Sequence, residues 1–336
     1  MRTDPAIVGL LGCPTCEGDL TVVGDPEPDG HVMNGAFDCS RCHQRFRIVD
    51  GVPRFGPAQL PEKVAKTIEG FGYSWQRANA VMKDRRLNAP EVFLDFVYPV
   101  TGSSFAGNIV LDAGCGTGRF SVTALQFGAR LVVGVDLSES VRVAFENTRH
   151  FPNALIVQAD LLHLPLKRTF DYAFTIGVLH HTVDPRRAFL SVVSKVVPGG
   201  SLSAWVYGRE NNGWIVHCIN PIRKLTSRLP RPLLLAVSYA LAIPLAILTK
   251  AVYGPVARRP RLARLRRWLF YFDYLSFLAQ FDYAAVAVIV FDHAIPTIAE
   301  YIPRDEFAEW FEAAGLVDVS ITMRGGNSWR GFGVAP

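Results

Sequence analysis

The chain has 336 residues, of which 49% are apolar, and carries a net charge of +5. That size allows two domains, or one core with additions. Residues 209–299 hold twelve Lys or Arg against four Asp or Glu, a local +8 that leaves −3 for the rest, so a global nucleic-acid surface is disfavoured while a local anionic partner stays open. Met1 to Leu11 lacks the long apolar run of a secretory signal, and the expected location is cytoplasmic.

Four of the six cysteines fall in the first 42 residues, as CPTC (Cys13, Cys16) and CSRC (Cys39, Cys42) with 22 residues between the pairs. Two such knuckles present four thiolates, which suits a tetrahedral zinc ion. Four cysteines leave no open position, so the expected metal is structural. Disulfides are the alternative, disfavoured because no targeting signal points to an oxidising compartment. Redox chemistry by one pair is weaker still, because the pairs come as a set. DLTVVG and HVMNGAFDC read as short strands joined by a turn at Pro26–Gly30. With CHQRFRIVDGVPRF (Cys42–Phe55), segment 8–56 resembles the Trm112-like zinc ribbon, which in relatives is a partner or fused appendage of methyltransferases. Residues 1–57 are the expected ribbon. His43 reads as an ordinary polar residue outside the cysteine set, or at most as a second-shell donor.

Gly56–Lys63 bears a proline and reads as a linker, and Val64–Gly70 as a short helix. FGYSW (Phe71–Trp75) either packs a cap onto the core or covers a site, with Tyr73 as a candidate donor to a cofactor carboxylate or substrate oxygen. PEVFLDFVYP (Pro90–Pro99) reads as an amphipathic helix, so 64–105 are the expected cap helices.

IVLDAGCGTGRF (Ile109–Phe120) organises the chain. Ile109–Leu111 read as a buried strand, Asp112 ends it, Gly114, Gly116 and Gly118 form a tight turn, and a helix follows. Glycine takes positive φ freely and lets a ligand lie against bare backbone. An acidic residue at the strand end would repel a pyrophosphate but accept from an ammonium, which points to a cationic nucleoside ligand rather than a dinucleotide. The run resembles motif I of the class I S-adenosylmethionine-dependent methyltransferases, and the resemblance continues. LVVGVDLS (Leu131–Ser138) is similar to the second strand with its acidic end, Asp136. IVQADLLHLPL (Ile156–Leu166) is similar to the third, with Asp160. Phe170–Tyr207 is similar to the fourth strand, a helix, a Pro-Gly-Gly turn and the fifth strand. FGYSW likewise resembles the aromatic stretch that such enzymes often carry ahead of the core.

The resemblance implies a doubly wound, seven-stranded Rossmann-like methyltransferase sheet of the α/β class over 106–208 and 300–336. It further implies a cofactor set of Asp112, Gly114, Cys115, Gly116, Gly118, Asp136, Leu137, Asp160, Leu161 and Gly177, holding S-adenosyl-L-methionine. Asp112 would take the methionyl ammonium directly or through water, Asp136 the ribose hydroxyls, and Asp160 with the Leu161 backbone the adenine. His180 and His181 sit at the expected carboxyl lip of the sheet, where a neutral imidazole can act as a base; a structural role competes.

Between strand five and the helix that begins near Pro303 lies an expected, mostly helical insertion, 209–299. Pro232–Leu248 is nearly unbroken in apolar character, with Pro244 inside it, and RPRLARLRRW (Arg259–Trp268) is basic and expected to be helical. The expected arrangement is a substrate lid whose apolar side faces the acceptor; a membrane-surface element is the alternative. His293 is a further candidate base, and Arg324 or Arg330 a candidate anion clamp, with closure of a hairpin the equal alternative for Arg330. VDVSITM and WRGFGVA are the expected sixth and seventh strands.

Together these features favour methyl transfer, O- or C-, to a small-molecule or lipid-like acceptor such as a prenyl, polyketide or aromatic compound. Nucleic acid is an unlikely partner on this reading, and peripheral membrane contact is open. The alternatives are a tRNA or translation-protein methyltransferase and a non-catalytic cofactor-binding scaffold.

Overall fold

A computed structural model describes residues 1–56, 61–77, 89–226, 229–295 and 298–336. Part of the expected linker, 57–60, lies outside the described residues, as do the side chains of Phe71 and Trp75 in the FGYSW stretch.

Two sheets are present among the described residues. The first is antiparallel and small: β1 (Leu20–Val23), β2 (Gly35–Cys39), β3 (Arg45–Val49) and β4 (Val52–Pro53), in chain order. The second has seven strands: β5 (Ile109–Ala113), β6 (Leu131–Asp136), β7 (Ala154–Gln158), β8 (Phe170–Ile176), β9 (Val196–Tyr207), β10 (Val317–Arg324) and β11 (Ser328–Val334). Its order is β7-β6-β5-β8-β9-β11-β10. Strands β5 to β9 pair in parallel, while β11 is antiparallel to both β9 and β10. The order reverses at β5, which starts the sheet's two halves, and open α/β sheets bind ligands in the crevice at such a switch point.

Parallel strands covered on both faces read as continuous apolar runs. Val110, Leu111, Val132, Val133, Ala173 and Phe174 accordingly have at most 1% exposure. Edge strand β10 is the exception, with Val317 and Val319 exposed.

Helices cover the sheet. We label α1 (Glu62–Arg77), α2 (Pro90–Phe96), α3 (Arg119–Gln126), α4 (Val141–Thr148), α5 (Pro185–Val193), α6 (Arg231–Leu248), α7 (Tyr283–Ala294) and α8 (Arg304–Ala313). Helix α1 runs past the expected Val64–Gly70 and takes in FGYSW. Asp184 caps α5 by accepting from the Arg187 N–H at 2.9 Å, and Pro185 occupies the first turn, where its missing N–H costs nothing.

The cysteine-bearing sheet is docked on the core. Leu11 bridges to Leu166 and Arg54 to Gln158, the Asp29 carboxylate accepts from Arg149 at 2.7 Å, and the His31 ring meets Phe145 edge-on at 5.4 Å.

The basic run expected to be helical, Arg259–Trp268, forms a 3₁₀ helix over Pro260–Trp268. Phe272–His293 divides into a helix at Phe272–Leu278 and α7, whose N-terminus is capped by Asp282 accepting from the Ala285 N–H at 2.7 Å. The expected orientation of 232–248 is not observed. Helix α6 buries Leu234, Ser238, Ala242 and Ala246 and exposes Leu233, Leu241, Ile243 and Ile247, so four of its large aliphatic side chains point away from the protein. The two candidate clamp arginines are engaged elsewhere: Arg324 and Arg330 both donate to the Asp95 carboxylate at 2.6 Å, fastening the β10–β11 hairpin to α2, in line with the hairpin role weighed for Arg330.

Candidate active site

A pocket of about 430 Å³ opens at the carboxyl ends of β5 to β8, within the range of small-molecule sites. The glycine turn forms its floor. Gly116 has φ +53°, and a Cβ built there would meet nothing within 4 Å; the backbone faces open space that a ligand can fill. Gly118, at φ +75°, does different work: a Cβ built there would lie 3.1 Å from the Ala144 methyl group of α4, so the missing side chain permits close packing of α3 on α4.

Asp136 holds this turn in place. One of its oxygens accepts from the Gly116 N–H at 2.9 Å, and the other accepts from the Ser138 N–H at 2.8 Å and hydroxyl at 2.7 Å. Asp160 caps a short helical turn by accepting from the Leu162 N–H at 2.9 Å. Of the residues expected to bind cofactor, Gly114, Cys115, Gly116, Asp136, Leu137, Asp160, Leu161 and Gly177 line the pocket. Asp112 and Gly118 do not line it.

Asp112 sits below the turn, 3% exposed, accepting from the Ser121 hydroxyl at 2.6 Å. Burial pushes its carboxyl up to about 7; the Ser121 hydrogen bond opposes this and the Asp136 charge reinforces it. Arg119 lines the pocket above it, with its guanidinium carbon 4.2 Å from the Phe120 ring centre. Burial lowers its pKa to about 10, while the Asp292 and Asp112 charges favour its cationic form. The arginine therefore keeps its charge at neutral pH. An acid and a cation near the same turn suit a zwitterionic amino-acid group.

This arrangement predicts a pH effect. Ionising Asp112 favours a bound ammonium, so S-adenosylhomocysteine affinity should rise about tenfold between pH 6 and 8 for a group titrating near 7. In the ligand-free protein the sign is opposite. The folded carboxyl titrates above its unfolded value near 4, so stability falls as pH rises from about 4 to about 7. Calorimetry across pH checks both: Asp112→Asn should flatten the affinity profile.

Among the candidate bases, His181 lines the pocket. Its Nδ1 lies 2.7 Å from the Ile298 carbonyl, which as an acceptor fixes the N–H on Nδ1 and leaves the lone pair on Nε2. Burial pushes its pKa down to about 4, so the ring is neutral at pH 7. His180 does not line the pocket. It is fully buried against the Tyr207 ring at 4.0 Å, its pKa is lowered by burial, and neither ring nitrogen has a hydrogen-bond partner among the described residues. His293 does not line it either: Nδ1 serves the Ile289 carbonyl at 2.9 Å, and Nε2 accepts from the Tyr274 hydroxyl at 3.2 Å. Tyr73 packs against Phe291, ring centres 6.1 Å apart, in a small cluster with Leu234 and Ile295.

Further lining residues that were not singled out from sequence are Arg119, Thr117, His163 and Thr182, together with Val64, Thr67 and Ile68 of α1. Arg119 was detectable, since it directly follows the glycine turn. The α1 residues carry no local signal.

Away from the pocket, the Sγ atoms of Cys13, Cys16, Cys39 and Cys42 all lie within 4.8 Å of one another. The Cys13–Cys42 and Cys16–Cys39 separations are 3.6 and 3.5 Å. Those are far longer than a disulfide bond and close to the sulfur spacing around a tetrahedral ion with ~2.3 Å bonds. Backbone N–H groups of Arg41 and Cys42 point at Cys39 Sγ at 3.4 and 3.5 Å, as suits a thiolate acceptor.

Residues 111–204 match the family described as Methyltransferase domain. Curated relatives include the tRNA U34 carboxymethyltransferase of Pseudoalteromonas atlantica, 34% identical over 114 residues, or 32% of this chain and 35% of the relative. The enzyme of the same name from Aeromonas hydrophila is 32% identical over 134 residues, 34% of this chain and 41% of the relative. The chain thus spans little more than a third of the length of these relatives. Among solved structures, the magnesium protoporphyrin IX methyltransferase of Synechocystis with bound S-adenosylmethionine is 17% identical, with a TM-score of 0.45 over 83% of this chain and all of that one. A SAM-dependent methyltransferase from Aquifex aeolicus is 13% identical, with a TM-score of 0.42 over 78% of this chain and 98% of that one. The sheet order, the glycine turn and the match over residues 111–204 identify the core of this chain as a Rossmann-like, S-adenosylmethionine-dependent methyltransferase domain.

Proposed function

We propose that this chain modifies a tRNA nucleoside by group transfer from an S-adenosylmethionine cofactor held at the glycine turn, in the cytoplasm. The observation that carries this reading is the 31–35% identity of the core to curated enzymes named as tRNA U34 carboxymethyltransferases. It replaces the small-molecule or lipid-like acceptor favoured from sequence, and with it the expectation that nucleic acid is an unlikely partner. The apolar insertion and the lack of a chain-wide basic surface are the features that favour such an acceptor. Neither feature decides it, because a substrate can be recognised locally by a chain of small net charge.

When bound, the cofactor supplies an electrophilic methyl group on a sulfonium. The residues present fit it: the open face of Gly116 admits the ligand, Asp136 and Asp160 offer carboxylates for a nucleoside, and Arg119 and Asp112 complement an amino-acid end. Group transfer to a positioned nucleophile depends mainly on alignment and exclusion of water. His181 Nε2 is the lone pair suited to take up a proton from an oxygen nucleophile.

The four cysteines fit a structural zinc ion, since the donor set is all thiolate and full at four.

Transfer of tritiated methyl from S-adenosylmethionine tests the reading. Label should enter the acid-precipitable fraction of total tRNA. Label in a lipid extract and none in tRNA would overturn it.

A further inference from the structure

The helix that begins with α6 continues through a π-turn to Arg258, 28 residues of mean hydropathy 2.1 over its most apolar window, of which 28% is buried. Its outward face is unlike that of an ordinary surface helix. Apart from Leu234, the buried positions on the inward face of residues 231–249 are small or polar: Ser238, Ala242, Ala246 and Thr249. The outward face is aliphatic: Leu233, Leu241, Ile243, Ile247 and Leu248 are 46–63% exposed. Water normally selects the opposite arrangement, and a contiguous apolar patch on a surface marks a contact site. A groove of about 680 Å³ lies on this face, lined by Ile243, Ala246, Ile247, Lys250, Ala251 and Tyr283.

A second feature follows directly in the chain. The 3₁₀ helix Pro260–Trp268 and the residues before it carry Arg258, Arg259, Arg261, Arg264, Arg266 and Arg267. None of these six enters an ion pair among the described residues. Trp268 and Phe270 are 77% and 60% exposed beside them.

We propose that this element is a membrane-surface anchor that lies on an anionic lipid bilayer, with the aliphatic face of α6 in the acyl region and the arginines at the headgroups. Aliphatic side chains, unpaired arginines and an exposed tryptophan are the three chemistries of the bilayer interface, and they occur here in one continuous stretch. RNA would satisfy the arginines and leave the aliphatic face in water. A second copy of the chain would cover the aliphatic face and leave the arginines unneutralised. The helix does not cross the bilayer, because its small-residue face packs on α7, with the Tyr283 hydroxyl donating to the Tyr239 carbonyl at 2.6 Å. This inference does not rest on the tRNA reading.

Co-sedimentation of the full chain with vesicles tests it, comparing phosphatidylcholine alone with phosphatidylcholine containing phosphatidylglycerol. The anionic vesicles should bind the protein at least tenfold better, and salt should weaken the binding by screening. Both Leu241→Asp with Ile247→Asp and Arg264→Ala with Arg267→Ala should reduce binding about tenfold. Because all four side chains are exposed, the melting temperature should hold. Three results would each overturn the proposal: no preference for anionic vesicles; binding lost only in the arginine variant and displaced by tRNA, which would make the stretch an RNA surface; or a lipid-free dimer in sedimentation velocity that the double aspartate variant dissociates.

Discussion

Asp136→Ala should lower the affinity for S-adenosylhomocysteine by at least about a hundredfold, close to 2.7 kcal/mol. The carboxylate was expected to serve only the ribose, but the structure gives it a second task. It accepts from the Gly116 N–H and from two groups of Ser138, so it also fixes the turn against which the ligand lies. A hydrogen bond to a charged group is worth roughly 1.5–3 kcal/mol, and the substitution removes several at once. Titration calorimetry reads the affinity and thermal melting reads the fold. The affinity should fall far more than stability does, because the strands beneath are held by their own ladder. Wild-type affinity in the variant would remove Asp136 from the site.

Removal of metal should have the other large effect. The purified protein should contain about one equivalent of zinc, and Cys39→Ser should lose it. The cysteine sheet is small, and a domain of this size rarely holds a core without a staple; zinc binding to such sites is worth about 10–16 kcal/mol by apparent affinity. The loss should extend beyond the ribbon, since Leu11, Phe37 and Phe55 belong to the same buried cluster as Leu111 and Val133 of the main sheet. Elemental analysis and melting with and without a chelator measure this. A metal-free native protein with unchanged melting would exclude the structural ion.

Much of this was legible in the sequence because the signals are local. The glycine turn with its flanking strand and helix occupies twelve consecutive residues, and the cysteine knuckles occupy four each. The parallel strands announce themselves as short apolar runs, as Leu131–Val135 does. What was not legible depends on distance or on direction. His180 and His181 are adjacent in sequence, yet the first is sealed behind Tyr207 and the second lines the pocket, and no periodicity separates them. Asp95 pairs with Arg324 and Arg330 across 229 and 235 residues, which turned a candidate anion clamp into a fastening. Helix α6 is apolar on every side, so its sequence carries no moment to say which face meets water. Only its packing on α7 shows that the small residues face inward. The acceptor was misjudged for a related reason: composition reports the whole surface, whereas recognition of a nucleoside needs one pocket.

The central claim is that the glycine turn holds the cofactor from which a tRNA nucleoside is modified. The most direct measurement is mass spectrometry of nucleosides digested from tRNA after incubation with the protein and S-adenosylmethionine carrying a deuterated methyl group. The account predicts one nucleoside bearing deuterium, present with the wild-type chain and lost with Asp136→Ala. A protein that binds S-adenosylhomocysteine by calorimetry yet leaves every tRNA nucleoside unlabelled would contradict it.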